Sequence, residues 1–222
     1  MALTLPLSFV RRVPGKVDNA RLVDIEITDM QARDAVWWDR RMGPHHLRMS
    51  HRADRFWPWM GLLPMCHLTQ LSQRRACRPL VIWGQADHGQ FVRVAMSIII
   101  ERYPYLDAED AASSYFIWFM CAADENVLIE HFGFSNPPAV GEVLIDNALV
   151  LSANDQLEGR IGLHSDPAGG QWLRDWYRKK GLTELSRTQP FPRGVRRANR
   201  GGYFVASPPT AEKLIRSLNP RR

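Results

Sequence analysis

Gly141 and Tyr177 are the residues on which a chemical reading of this 222-residue chain can be built. Gly141 follows Pro137-Pro138-Ala139-Val140 and opens a run without breakers to Asn154. Val143, Leu144, Ala148, Leu149 and Leu151 recur along that run at helical spacing. Pro138 stands just before the helix, where its missing N–H costs nothing. A helix that opens on a Gly-containing loop presents unbonded backbone N–H groups and the positive end of its dipole, which suits a phosphate. Tyr177 stands on a second helical stretch, where Trp172, Leu173, Trp176 and Tyr177 line one face and Gly181 is placed to end it. Between the helices, residues 160–164 read as a short strand stopped by Ser165-Asp166-Pro167. The order loop, helix, strand, helix lets the phenol reach back toward the strand ends beside the phosphate cradle.

Three segments carry a resemblance. Gly141-Glu142-Val143-Leu144-Ile145-Asp146, then Gly159-Arg160-Ile161-Gly162-Leu163-His164, then Asp175-Trp176-Tyr177-Arg178-Lys179-Lys180-Gly181-Leu182 resemble the Gcn5-related N-acetyltransferase (GNAT) superfamily. The likeness covers the C-terminal half by motif and the N-terminal half by element order. It implies an α/β (mixed α+β) class, with a central mixed, splayed β-sheet flanked by helices. One domain would span residues 1–222, with 1–20 as an irregular lead-in. It also implies acetyl-CoA or another acyl-CoA as cosubstrate and no metal. The pyrophosphate would lie on Ala139, Val140, Gly141, Glu142 and Val143. Backbone N–H groups of Met120, Cys121 and Ala122 would polarise the thioester carbonyl, and Tyr177 would protonate the departing thiolate. Residues 138–143 keep only the first Gly of the family's usual turn, and Gly170 stands where an Asn is common. Those departures sustain a second reading, a silent module of the same fold that binds a partner or acyl-CoA without turnover.

Acyl transfer to an amine also needs a base. Glu101 is the first choice, at the end of a strand; Asp124, Glu130 and His131 are alternatives, and a surface salt bridge is the plain reading of Glu101. Arg193, Arg196 and Arg197, with Arg200, would clamp an anionic acceptor or an aminoacyl-tRNA through phosphate contacts, or simply solvate a hairpin tip. The acceptor is an amine, small or macromolecular.

The elements that must position these groups follow from pattern. Residues 21–28 alternate as a first strand, and Thr28 or Asp29 caps a helix over 30–42 that Gly43-Pro44 stops. Residues 44–55 read as a solvated basic loop; His45, His46 and His51 lack the Cys or carboxylate of a familiar metal set. Residues 56–76 are helical, interrupted near Pro58 and Pro64. Residues 80–83 and 90–100 form strands joined by an Ala86-Asp87-His88-Gly89 turn. An acidic loop over 105–113 leads to 114–123, a continuous apolar run of the kind buried on both faces. These strands and 160–164 should share one sheet. Residues 124–138 read as a long loop, 182–187 and 202–206 as a closing strand pair, and 210–218 as a short amphipathic helix.

Composition bounds the rest. The hydrophobic share of 45% and charged share of 23% are those of a globular chain. A net charge of +6 and pI near 9.6 favour polyanions, and CoA is one. Three cysteines without framework spacing point to a reduced, cytoplasmic chain, and no run is long and apolar enough to span a bilayer. The N-terminal run is apolar then basic, the reverse of a signal peptide. Oligomerisation is left open.

Overall fold

The computed structural model describes residues 7–50, 52–106, 112–185 and 202–222. Its strands in chain order are β1 (Arg12–Pro14), β2 (Leu22–Asp29), β3 (Cys77–Gln85), β4 (Phe91–Pro104), β5 (Ser113–Ala122), β6 (Ile161–Ser165), β7 (Thr183–Glu184) and β8 (Gly202–Ala206). They form one mixed sheet in the order β1-β2-β3-β4-β5-β6-β8-β7. Among the described strands only the β5–β6 pair is parallel. The helices are α1 (Ala32–Arg41), α2 (Gly43–Leu47), α3 (Trp59–Gln73), α4 (Glu125–Phe132), α5 (Gly141–Asn154), α6 (Gly170–Lys179) and α7 (Pro208–Leu218). The four strands expected near 80–83, 90–100, 114–123 and 160–164 all lie in this sheet. None of the described helices is long and apolar enough to cross a membrane.

α5 is buried from Val143 to Ala153. Ile145, Ala148, Leu149 and Leu151 join Tyr115 and Ile117 of β5 and Ile161 and Leu163 of β6 in one cluster. Each such aliphatic side chain contributes about 1.5–3 kcal/mol on burial, several times any propensity difference along the helix. Packing therefore sets where the N-terminus of α5 sits. A buried ion pair adds to this: Arg222 donates to both carboxylate oxygens of Asp146, at 2.7 and 3.0 Å.

Several elements differ from expectation, each for a local reason. Residues 124–138 are not a loop throughout. Asp124 accepts the N–H groups of Asn126 and Val127, and Gly133 at φ +73° ends α4 between them. α1 is capped at Gln31 rather than Thr28 or Asp29, which complete β2; the Gln31 N–H reaches Asp34 at 2.8 Å. Gly43 and Pro44 begin α2 instead of stopping α1, since Pro is accepted in a first turn. Residues 44–55 are not simply solvated, because His46 on α2 is 2% exposed. α3 runs unbroken through Pro64, and its first N–H groups, of Trp59 and Met60, go to the Asp39 carboxylate of α1 at 2.9 Å each. Within 1–20, residues 12–14 form β1.

Candidate functional site

The sheet opens at one place. β5 and β6 pair at Tyr115–Ile161, Phe116–Gly162 and Ile117–Leu163 and no further, although β5 continues to Ala122 and β6 to Ser165. The cause lies on the other edge of β5. Ile98 faces Phe119 and Ile99 faces Ile117, so Trp118 is an extra residue, and a bulge there bends β5 away from β6. The opening is a cleft of about 950 Å³, with Trp118, Met120 and Ala122 on one side and Leu163, His164 and Asp166 on the other.

The N-terminus of α5 closes one end of this cleft. The chain before it is fixed by a latch: Asn136 Oδ1 accepts the N–H groups of Val17 and Asp18 at 3.0 Å, and its Nδ2 donates to the Asp18 carbonyl at 3.0 Å. Gly15 permits the latch, since a Cβ there would lie 1.9 Å from Asn136 Nδ2. Ala139 donates its N–H to the Pro14 carbonyl at 2.9 Å, and Val140 donates to Pro138 at 3.1 Å. Those two N–H groups are committed, which corrects the expectation that the whole 139–143 turn offers donors. The helix start leaves those of Gly141, Glu142 and Val143. The Val143 side chain itself points into the core at 1% exposure.

α6 supplies the wall beside it. Trp176 lies over Gly141, where a Cβ would meet the ring at 3.1 Å, so the small residue allows the close approach. Lys180 bonds Glu142 and sits 5.7 Å from the Trp176 ring centre, bringing a cation to the helix end. Tyr177, on the next face, packs against Phe204 at 5.1 Å and also lines the cleft. It is 3% exposed, and burial, with the nearby Asp166 carboxylate adding to it, pushes the phenol well above its usual range. It keeps its proton through neutral pH.

Met120, Cys121, Ala122, Ala139, Val140, Gly141, Glu142 and Tyr177 thus meet at one cleft. Burial raises the Cys121 thiol well above its usual range, which leaves it unreactive. Glu101 is elsewhere. Its neighbour Ile100 pairs with Phe116 near the start of β5, whereas the cleft lies where Ala95 meets Ala122. Six residues along a strand separate the two levels by about 20 Å. Glu101 faces Arg78 at 3.7 Å, and burial raises its carboxyl. Asp124 does line the cleft, and its two N-cap bonds use Oδ1 only. Arg193, Arg196 and Arg197 lie outside the described residues. Among the described residues no group of His, Cys, Asp and Glu could hold a metal ion.

Sequence reading missed Arg52 and Asp54, two buried or half-buried charges at the far end of the cleft. Arg52 donates to both Asp54 oxygens, at 2.8 and 2.7 Å, and to the carbonyl of Ala122. Asp54 also lies 3.5 Å from Nδ1 of His46. No local pattern announces the tie between Arg52 and β5, because Ala122 is 70 residues from Arg52.

No protein-family model matches the chain, and no curated protein does. Among solved structures the chain is similar to apo FdhC, a nucleotide-linked sugar GNAT, at 8% identity and a TM-score of 0.54, covering 97% of this chain and 99% of that one. It is also similar to an acetyltransferase of the GNAT family from Staphylococcus aureus Mu50, at 11% identity and a TM-score of 0.50, covering 83% and 99%. A mixed sheet parted beside a helix N-terminus, together with these two likenesses, gives the chain the Gcn5-related N-acetyltransferase fold.

Proposed function

We propose that this chain is an acyl-CoA-dependent N-acyltransferase, with acetyl-CoA as the donor and an amine as the acceptor. One observation carries the reading: the opening of β5 from β6 beyond Ile117 and Leu163 ends on three helix N–H groups that have no backbone partner among the described residues. A diphosphate fits that end, because backbone donors and the dipole favour an anion there and Lys180 balances the Glu142 carboxylate beside them. An extended arm fits the cleft, because among the described residues the edge of β5 beyond Ile117 has no neighbouring strand.

Acetyl-CoA, when bound, supplies a thioester whose carbonyl carbon accepts the amine nitrogen and whose sulfur leaves as a thiol. The chain's residues then divide the work. Gly141, Glu142 and Val143 hold phosphate through their N–H groups. Backbone N–H groups of β5 near Met120 stabilise negative charge on the carbonyl oxygen. Tyr177 delivers a proton to the sulfur. Asp124, through a water, takes one from the amine, a role that the position of Glu101 does not suit.

The test has two parts. Calorimetric titration should show acetyl-CoA binding at one site, and thiol release should follow on adding a panel of amines. Tyr177→Phe should then lower turnover roughly 10²-fold while leaving acetyl-CoA affinity nearly unchanged, since the ring packing is kept. Binding without thiol release from any amine would favour a silent module of the same fold. No binding at all would overturn the reading.

A further inference from the structure

Arg52 is an unusual residue to find at the end of a substrate cleft with part of its fork idle. Its Nε and one terminal nitrogen, Nη2, are clamped on Asp54, and Nη2 also donates to the Ala122 carbonyl. The other terminal nitrogen, Nη1, has no protein partner among the described residues. The side chain is 16% exposed, and the cleft is the open space that it borders. Taking a guanidinium this far out of water is costly, and Asp54 at 7% exposure offsets the charge without using the remaining donors. The clamp holds those donors in one orientation.

We infer that Arg52 recognises a carboxylate on the acceptor, so the acceptor is an amine that also carries a carboxylate, as an amino acid does. This rests on the acyltransferase reading above. Two features beside Arg52 fit such a molecule. Asp124 follows the end of β5 by two residues and presents a free carboxylate oxygen, so the cleft offers a cation and an anion close together. An ammonium and a carboxylate on one small molecule match that pair. Trp57 and Trp118 supply aromatic wall for an apolar side chain. The Nη1 donors belong to a charged group, so a carboxylate accepts from them more strongly than a neutral amide does.

The probes are matched sets of phenylalanine, phenylalaninamide and phenethylamine, with the corresponding set for methionine. Binding is read by tryptophan fluorescence with and without CoA, and turnover by thiol release from acetyl-CoA. The carboxylate member should bind, and its kcat/KM should exceed that of the amide by about tenfold or more. Arg52→Lys keeps the charge and removes Nη1 from the position in which the clamp holds it, and should cut the carboxylate-over-amide ratio about tenfold. A purely structural tie would lower both members together and leave the ratio unchanged, which overturns the assignment. So does binding of neither member, or equal binding of both, to the unaltered protein, which needs no variant to fold. Failure of acetyl-CoA to bind is a separate result and counts against the acyltransferase reading, because carboxylate preference in fluorescence is scored without it.

Discussion

At the scale of the residue, burial decides what each titratable side chain can do. His46 shows it most clearly. It is packed edge-on to Trp38 at 5.8 Å, with Asp54 at Nδ1, and its Nε2 is buried with no hydrogen-bond partner among the described residues. Burial first, then the Arg52 charge, lowers its pKa from 6.5 to about 4, against the pull of Asp54 and Asp124. The imidazole is neutral in the fold and titrates near 6.5 when unfolded, so the unfolded chain binds more protons between those values. Stability from this group is complete above pH 6.5 and is lost as pH falls toward 4, by about 3 kcal/mol at most. Asp146 works in the opposite sense, since burial raises it to about 6 despite Arg222, and its contribution is lost as pH rises through that value. The raw pH profile therefore mixes two slopes. Comparing the parent with His46→Asn isolates one of them. Urea unfolding at pH 7 and pH 5 should show the parent losing 1–2 kcal/mol more than the variant, on the order set by pKa linkage. Equal losses would mean that His46 is not held neutral.

At the scale of the element, the start of α5 is the part most exposed to a single change. Gly141 is its first residue, and Trp176 leaves only 3.1 Å for a Cβ there. Gly141→Pro suits a first helical turn in φ but removes one of the three remaining donors. Acetyl-CoA affinity should fall at least about tenfold, in line with loss of a charge-assisted hydrogen bond and displacement of the indole. Gly141→Ala serves as the control, since it keeps the N–H and tests the crowding alone. Calorimetry on both variants reads the difference. If the Pro variant stays folded by circular dichroism and binds as the parent does, phosphate lies elsewhere. The expected donors at Ala139 and Val140 illustrate a general limit. A loop before a helix shows that N–H groups exist, and only the path of the rest of the chain shows whether they are already taken.

At the scale of the whole molecule, the sheet is continuous through β2–β5 and joins β6–β8 through three paired residues and the buried flank of α5. The seam gives a signature in hydrogen exchange. Amides of β5 beyond Ile117 that bond to β4 should be among the slowest in the chain. Those turned toward the opening have no neighbouring strand among the described residues and should exchange faster. Acetyl-CoA should slow the second set at least about tenfold if an extended arm lies along β5. Unchanged exchange there, at a concentration that saturates binding, would place the arm outside the cleft.

The sequence by itself determined the regular elements that rest on short-range pattern. The apolar run of 114–123, the hairpin around Gly89 and the helix from Gly141 are all legible, because strand and helix periodicities repeat within a few residues. That Trp176 and Tyr177 leave their helix in different directions was legible for the same reason, but the expected burial of Trp176 against the sheet is reversed, with Tyr177 buried on Phe204 and Trp176 lying over Gly141. Short helices such as α2 and α4 were not, since a turn or two carries too little period to stand out and rests on caps. The tertiary structure alone decided the site. It placed Trp118 as an extra residue of β5 opposite the step from Ile98 to Ile99 of β4, which opened the sheet. It brought Pro14 against Ala139 and so used up a donor, and it put Arg52 on the last carbonyl of β5. It also left Glu101 at the other end of its strand. Each of these is a contact between segments far apart in the chain, and such contacts are set by which large buried surfaces fit together, a quantity no local window contains.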